Sequence, residues 1–303
     1  MNLEVTTCNH LGDALCLSAA LANLRRVKPD WRVWYAGAYR DVFRGTPWEQ
    51  ADGERPELQV RCEYRDFGIT DTTAEAGSLC DGLTLSLARR LGLDIPPVDR
   101  APVVRLDGTE RERAERHPAA GGILLNTNCQ TCSTVKWYPW WPEVCRLLPD
   151  ARFFLTGGRE GRDLRDGSRF PANVTDLRGA TSCRELLALA AVCSCAVSPP
   201  SSLVHAAAAF NRPTVVVTGA REPTMLTDYP RAKHLHSICL PARYAPRYDL
   251  RRGCLHFRTD DPRSCEHTVA VHWRNAAMCM ACIAPETVAE AIRRAITPNP
   301  SQP

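Results

Sequence analysis

Three groups of residues have types and spacings suited to chemistry. The first is the turn Ser198-Pro-Pro-Ser201-Ser202, between a short apolar run, Cys195 to Val197, and an Ala-rich stretch, Leu203 to Phe210. A turn from strand to helix collects backbone N–H groups and the positive end of a helix dipole, so it suits a phosphate. The second is a pair of lone charges beside predicted strand ends. Asp13 follows Gly12 at the start of a helix. Lys136 is the one cation in the loop 127–136, where it would face a diphosphate. The third is a set of thiols, Cys254-x10-Cys265-x13-Cys279-x2-Cys282. Four cysteines ending in C-x2-C suit a tetrahedral zinc or iron site. His256, His267 and His272 lie among them as substitute ligands. Each group has a plainer reading: an ordinary βαβ turn, a helix-terminal carboxylate with a surface lysine, and four unlinked reduced cysteines.

These residues need positioning elements, and the sequence predicts them. Leu3 to Thr7 reads as a first strand. A helix follows, with Leu15, Ala19, Ala22 and Val27 on one stripe. Trp31 to Tyr35 is a second strand, with further short ones at Leu58 to Val60 and Tyr64 to Gly68. Leu79 to Leu91 is a helix, and 109–116 a short solvated one. A second unit begins at Gly122. Its strands are Ile123 to Asn126, Ala151 to Leu155, Cys195 to Val197 and Val215 to Thr218. Pro142 enters one helix. Ser182 with Glu185 forms a capping box for another. Strands alternating with helices predict an α/β fold of doubly wound parallel sheets, whose ligands bind at the carboxyl ends of the strands.

The predicted organisation is an N-terminal Rossmann-like domain over 1–116 and a C-terminal one over 117–238. A Cys-rich insert follows over 239–284, with little regular structure and stapled by a metal. A closing helix and tail occupy 285–303. The 303 residues suffice for two domains with cores. A net charge of +4 does not demand a nucleic-acid partner and permits an anionic one. No stretch is long and apolar enough to cross a membrane, and the start has no signal-peptide character. Fifteen cysteines without such a signal read as thiols in a reducing cytoplasm. The pair Cys129-x-x-Cys132 is too sparse for a metal site and reads as loop. Trp137, Trp140 and Trp141 read as packing.

The pieces together resemble glycosyltransferase family nine, the ADP-heptose:lipopolysaccharide heptosyltransferase group with its two-domain GT-B fold. His10-Leu11-Gly12-Asp13-Ala14-Leu15 is similar to the amino-terminal Gly-Asp loop of the family. Lys136-Trp137 with Trp141-Pro142 resembles its K-x-W-P segment. Leu177-Arg178-Gly179-Ala180-Thr181 with Glu185-Leu186 resembles its Gly-x-Thr helix start. Ser201-Ser202-Leu203-Val204-His205-x-Ala207-Ala208 resembles its D-S-G-x-x-H-x-A-A signature, with Pro200 and Ser202 standing where the family has an acidic residue and a glycine.

The resemblance implies a glycosyltransferase that moves a sugar, heptose favoured, from a nucleoside-diphosphate sugar to an acceptor hydroxyl with inversion. Asp13 would be the general base. Gly12, Asn126, Lys136, Ser201, Ser202, His205, Gly219 and Glu222 would surround the donor, with Glu222 on the ribose. No divalent metal would be needed for the transfer. A structural histidine is an equal reading of His205. The acceptor is left open: a lipopolysaccharide core, another glycan or lipid-linked sugar, a protein side chain, or a modified nucleic acid. Autotransporter heptosyltransferases similar to this family carry a four-cysteine iron site, which tilts the expected metal on Cys254, Cys265, Cys279 and Cys282 toward iron, with zinc next. Rival readings are a non-catalytic binding protein on the same scaffold and a sugar-nucleotide epimerase-like enzyme.

Overall fold

A computed structural model of the chain describes residues 1–8, 10–63, 77–127, 136–158, 170–220, 224–227, 229, 237–241, 248–249, 253–254, 265, 267–272 and 274–297. In the N-terminal unit, β1 (Asn2–Thr6) lies between β2 (Arg32–Tyr35) and β3 (Leu58–Arg61), both parallel to it. Leu3 and Val5 point to one face, level with Val33 and Tyr35 on β2 and with Leu58 and Val60 on β3. The connecting helices are α1 (Leu11–Val27) and α2 (Leu79–Leu91). Ser78 and Asp81 close a capping box on α2, and Gly92 ends it at φ 62°, a left-handed conformation that glycine adopts without a Cβ penalty. The predicted bounds of α2 match. The predicted strand at Tyr64 to Gly68 lies outside the described residues.

The C-terminal unit carries the larger sheet. β4 (Ile123–Leu125), β5 (Phe153–Leu155), β6 (Val174–Asp176), β7 (Cys195–Ser198), β8 (Thr214–Gly219) and β9 (Ser237–Pro241) lie in the order β6-β5-β4-β7-β8-β9, all parallel. Its crossovers include α4 (Trp141–Arg146), α5 (Cys183–Val192) and α6 (Ser202–Ala209). Between the two units runs α3 (Gly108–Glu115), capped by Asp107 and Glu110. The Ser182–Glu185 capping box on α5 is present as predicted.

Both faces of this sheet are covered, which explains the continuous apolar runs in its strands. Ile123, Leu125, Phe153, Leu155, Cys195, Val197, Val215 and Val217 face a core closed by α4 and by α8 (Pro285–Ile296). Leu124, Phe154, Ala196 and Val216 face the other way. There they join Leu187, Leu203 and Ala206 to Leu3, Val5 and the buried residues of α1 in one core spanning both units.

That shared core explains a departure from prediction. A one-faced apolar stripe was expected on α1. Instead Ala14 to Leu21 are all buried, as are Asn23 and Leu24. Helix α1 is enclosed by α2 on one side and α6 on another, so apolar and small residues are needed nearly all round. A second correction concerns the segment beyond residue 238. Cys239 lies inside β9, the sixth strand of the sheet, so the insert cannot begin there. The segment is also not structureless. It holds the strand pairs β10–β11 (Tyr248–Asp249 with Gly253–Cys254) and β12–β13 (Thr268–Val271 with Arg274–Ala277), then the short helix α7 (Met278–Ala281). Backbone pairing supplies order there that a polar sequence without clear alternation does not advertise. Among the described residues no helix is long and apolar enough to cross a membrane.

Candidate functional site

Gly12 and Asp13 follow β1, Asn126 follows β4, and Ser201 and Ser202 follow β7, so these predicted site residues stand past the carboxyl ends of strands in the two sheets. After β7 the chain turns through two prolines to Ser201, which caps α6 by accepting the N–H of Leu203 at 3.3 Å. The Ser201 hydroxyl also takes the Asn126 side-chain amide at 3.3 Å and lies 2.6 Å from the Ser198 hydroxyl. Ser198 donates its own proton to the Pro199 carbonyl. Ser201 is then the donor toward Ser198, and its oxygen is an acceptor for Asn126 and Leu203. The hydroxyl is committed to holding the turn. What the turn presents outward is its backbone and the α6 dipole.

Lys136 is drawn to this turn by a bond from Nζ to the Pro200 carbonyl, 3.3 Å. Its segment is anchored behind. The Tyr138 hydroxyl donates to the Ile283 carbonyl at 3.0 Å, and Trp140 Nε1 to the Ala281 carbonyl at 2.8 Å. Burial raises the Tyr138 phenol well above the ordinary tyrosine value, so it stays a donor. Trp137 and Trp141 are buried, as the packing reading expected.

On the N-terminal side, Gly12 and Asp13 open α1. Asp13 is 2% exposed. A Cβ built on Gly12 would stand 3.1 Å from His205 Cδ2, 3.6 Å from His205 Nε2 and 3.7 Å from Ser202 Cα. The first turns of α1 and α6 therefore meet, one from each unit, and two positive helix ends converge on one place. Gly12 permits that approach by having no side chain.

His205 is 5% exposed and belongs to a buried cluster with Cys16, Cys80 and Tyr229. Its Nδ1 lies 3.3 Å from Cys16 Sγ and in a short hydrogen bond with the Tyr229 hydroxyl. The sequence reading missed Cys16, Cys80 and Tyr229 as partners of His205, because separations of up to 213 residues leave no local pattern. It also missed Arg184. From α5, this guanidinium binds the Glu110 carboxylate of α3 through Nε at 2.7 Å and through Nη2. It also donates to the carbonyls of Asp41 and Arg105, at 3.1 and 2.7 Å. Arg184 ties the C-terminal sheet's helix layer to the N-terminal unit. The bond to Arg184 holds the Glu110 carboxyl below its ordinary range.

Other predicted residues stand elsewhere. Gly219 ends β8 at φ 56°. A Cβ there would overlap Met280 Sδ and stand 3.5 Å from Cys279 Sγ, so the position faces the second core's closing segment. Glu222 lies outside the described residues, as do Cys129 and Cys132. Of the expected metal ligands, Cys265 and Cys279 pack against the second core, and Cys282 is exposed just past α7. His272 stacks edge-on against Trp140, with ring centres 5.4 Å apart. The side chain of Cys254 is outside the described residues. Among the described residues no three His, Cys, Asp or Glu side chains gather as a metal site.

Two parallel-sheet units meeting at the carboxyl ends of their strands, with helix N-termini opposed, define a GT-B-like α/β protein. The chain belongs to glycosyltransferase family 9 (heptosyltransferase), whose family model matches residues 83–254, more than half of it. It is accordingly a glycosyltransferase, heptosyltransferase-like in fold. It is similar to the structure of E. coli ADP-heptose lps heptosyltransferase II, with 14% identity, 98% of each chain covered and a TM-score of 0.65. It is also similar to TibC of enterotoxigenic E. coli H10407, described as a bacterial iron-containing dodecameric glycosyltransferase. That match has 18% identity, covers 96% of this chain and 75% of TibC, and has a TM-score of 0.64. A glycosyl transferase family 9 protein of Veillonella parvula DSM 2008 matches at 12% identity over 79% of this chain and 85% of its own, with a TM-score of 0.57. At these identities the likeness is one of fold. No curated protein matches the chain.

Proposed function

We propose that the chain transfers a sugar from a nucleoside-diphosphate sugar, ADP-heptose in the first instance, to an acceptor hydroxyl, inverting the anomeric carbon. The observation that carries this reading is the meeting of the α1 and α6 first turns, with Gly12 against His205 and Ser202. Asp13, the residue after Gly12, is the carboxylate of this reading, and the α6 N-terminus its anion cradle. The diphosphate sits on the α6 N-terminus with Lys136 alongside. Their fixed positive charge stabilises the leaving nucleoside diphosphate as the glycosidic bond breaks. Asp13 takes the proton of the attacking hydroxyl. One direct displacement inverts configuration. Asn126 holds the cradle through Ser201. The fold likeness to E. coli heptosyltransferase WaaC with ADP supports adenine as the base.

The test is a thermal-shift panel with ADP, GDP and UDP on the wild type and on Lys136→Ala, followed by a transfer assay on Asp13→Asn. ADP should raise the wild-type Tm and raise it less in Lys136→Ala. Asp13→Asn should bind ADP as the wild type does and lose transfer by about 100-fold or more, the usual worth of a general base. No shift with any nucleotide would sink the transferase reading in favour of a binding scaffold. We assign structural iron or zinc to Cys254, Cys265, Cys279 and Cys282 on their sequence spacing, with likeness to the iron-containing TibC fold in support. Metal analysis of the purified protein tests it, and less than one metal per two chains would refute it.

A further inference from the structure

A third, small apolar cluster stands apart from the two cores. Trp137 is 4% exposed and packs with Val271 of β12 and Ala276 of β13, with Trp140 and Ala281 against them. Trp140 is tied to the same place twice: its indole N–H donates to the Ala281 carbonyl at 2.8 Å, and its ring meets His272 edge-on. Tyr138 reaches the Ile283 carbonyl. The gripping segment is itself fixed. The Met278 N–H donates to the His267 carbonyl at 2.9 Å, and Met280 of α7 is fully buried against Gly219 at the end of β8. Residues 137–140 are thus held by the β12–β13 hairpin and by α7, elements far along the chain.

The cluster holds three buried side chains and joins neither large core, so its contribution to global stability is small beside theirs. Its local effect is larger. Trp137 is the next residue to Lys136, whose Nζ reaches the Pro200 carbonyl at the turn before α6. A lysine side chain has four rotatable bonds and loses much freedom when its ammonium is held. A buried tryptophan beside it fixes the backbone from which the chain reaches out. That ordering is then complete before a ligand arrives and is not subtracted from binding.

We infer that Trp137 is a positioning residue for Lys136, and that the β12–β13 hairpin and α7, by gripping it, are a working part of the donor site. The consequence for the diphosphate rests on the donor-site reading above; the placement of Lys136 by Trp137 does not. Calorimetry of ADP binding to the full-length protein tests the consequence as a cycle. Trp137→Ala should bind ADP roughly tenfold more weakly, the worth of one hydrogen bond to a charged group. In the Lys136→Ala background the same substitution should change the affinity by less than about twofold, because the group it acts through is gone. A tryptophan with a merely structural role would lower Tm without that difference. An equal loss in both backgrounds, or no loss in the first, overturns the inference. If Trp137→Ala does not fold, Val271→Ala thins the cluster from the hairpin side and runs the same cycle, with a loss of about threefold expected.

A second readout needs no nucleotide. The chain has three lysines, Lys28, Lys136 and Lys233, so reductive ¹³C-dimethylation gives a sparse NMR spectrum, assigned with Lys136→Arg. A dimethylated lysine keeps its charge and one N–H, so it can still donate to the Pro200 carbonyl. The wild-type Lys136 signal should stand away from that of free dimethyl-lysine, and Trp137→Ala or Val271→Ala should move it toward that position. A wild-type signal already there, or one that neither variant moves, overturns the inference whether or not ADP binds. Failure of the wild type to bind any nucleoside diphosphate would refute the donor-site reading instead, and the methyl spectrum would still decide whether Trp137 places Lys136.

Discussion

Replacing Arg184 by methionine keeps most of its aliphatic stem and removes the guanidinium that joins α5 to the N-terminal unit. In the native protein that group binds both oxygens of Glu110 and the carbonyls of Asp41 and Arg105. Its side chain is 7% exposed and that of Glu110 is 14% exposed. Exposed pairs contribute up to about 1 kcal/mol, whereas breaking a fully buried one costs about 3–5 kcal/mol because a charge is left unpaired. The low exposure places this pair near the second case, and the slight access of water to Glu110 softens it. We expect Arg184→Met to lose about 3 kcal/mol, measured from urea midpoints at pH 7. A cycle with Glu110→Gln should show a coupling energy of about 2 kcal/mol.

The pH dependence has a fixed sign. Because the folded-state value of Glu110 lies below the ordinary 4.5, the pair stabilises fully above that pH and fades as the pH falls through the lowered value. The gap between wild type and Arg184→Met should therefore narrow in acid. A loss under 1 kcal/mol at pH 7, or a gap that widens below pH 4.5, would refute the assignment of Arg184 as the tie between the units.

Gly219→Ala must adopt φ 56° and drive a methyl into Met280. It should cost about 2–4 kcal/mol, and Met280→Ala in the same chain should recover part of that. A loss smaller in Gly219→Ala than in Met280→Ala would contradict the packing role. Asn173 reaches the carbonyls of Cys145, Leu148 and Ala151 with one amide nitrogen. Asn173→Ala should cost about 1 kcal/mol, read as a lower Tm, because it removes these bonds while the Cys145 and Leu148 carbonyls keep the backbone N–H groups of Leu148 and Ala151. Native alkylation should separate the thiols: Cys282, exposed, reacts first, while Cys193, pushed up to about 12 by burial, and Cys195, also raised, stay unmodified. Mass spectrometry of the labelled peptides checks the order, and adding a chelator should speed labelling of Cys282 if it holds the proposed metal.

Local rules explain what was legible in the sequence. The Ser182–Glu185 box, the Leu79–Leu91 helix and the β-branched strand at Val215 each carry their own signal within a few residues. The turn at Ser198 to Ser202 announced itself by prolines and serines before a helix. What could not be read depends on distant partners. The burial of α1 on nearly every side follows from α6, almost two hundred residues away. The role of Arg184 needed α3 and the carbonyls of Asp41 and Arg105. Tyr229 had no pattern around it. The strands from residue 237 onward form by pairing with β8 or with each other, and at two to five residues each they are too short to carry a pattern of their own. Of the residues expected to line the donor site, Gly12, Asn126, Lys136, Ser201, Ser202 and His205 lie at or near the two opposed helix starts. Gly219 faces the second core instead.

The core that runs from Leu3 through α1 and α6 to Val216 has a practical meaning for engineering. Separating the chain near residue 117 would open this core where α6 packs on α1, so neither half is a portable module. A new acceptor preference is better sought by grafting surface loops onto the intact chain than by recombining halves from two relatives, because a foreign half would have to match this seam methyl for methyl.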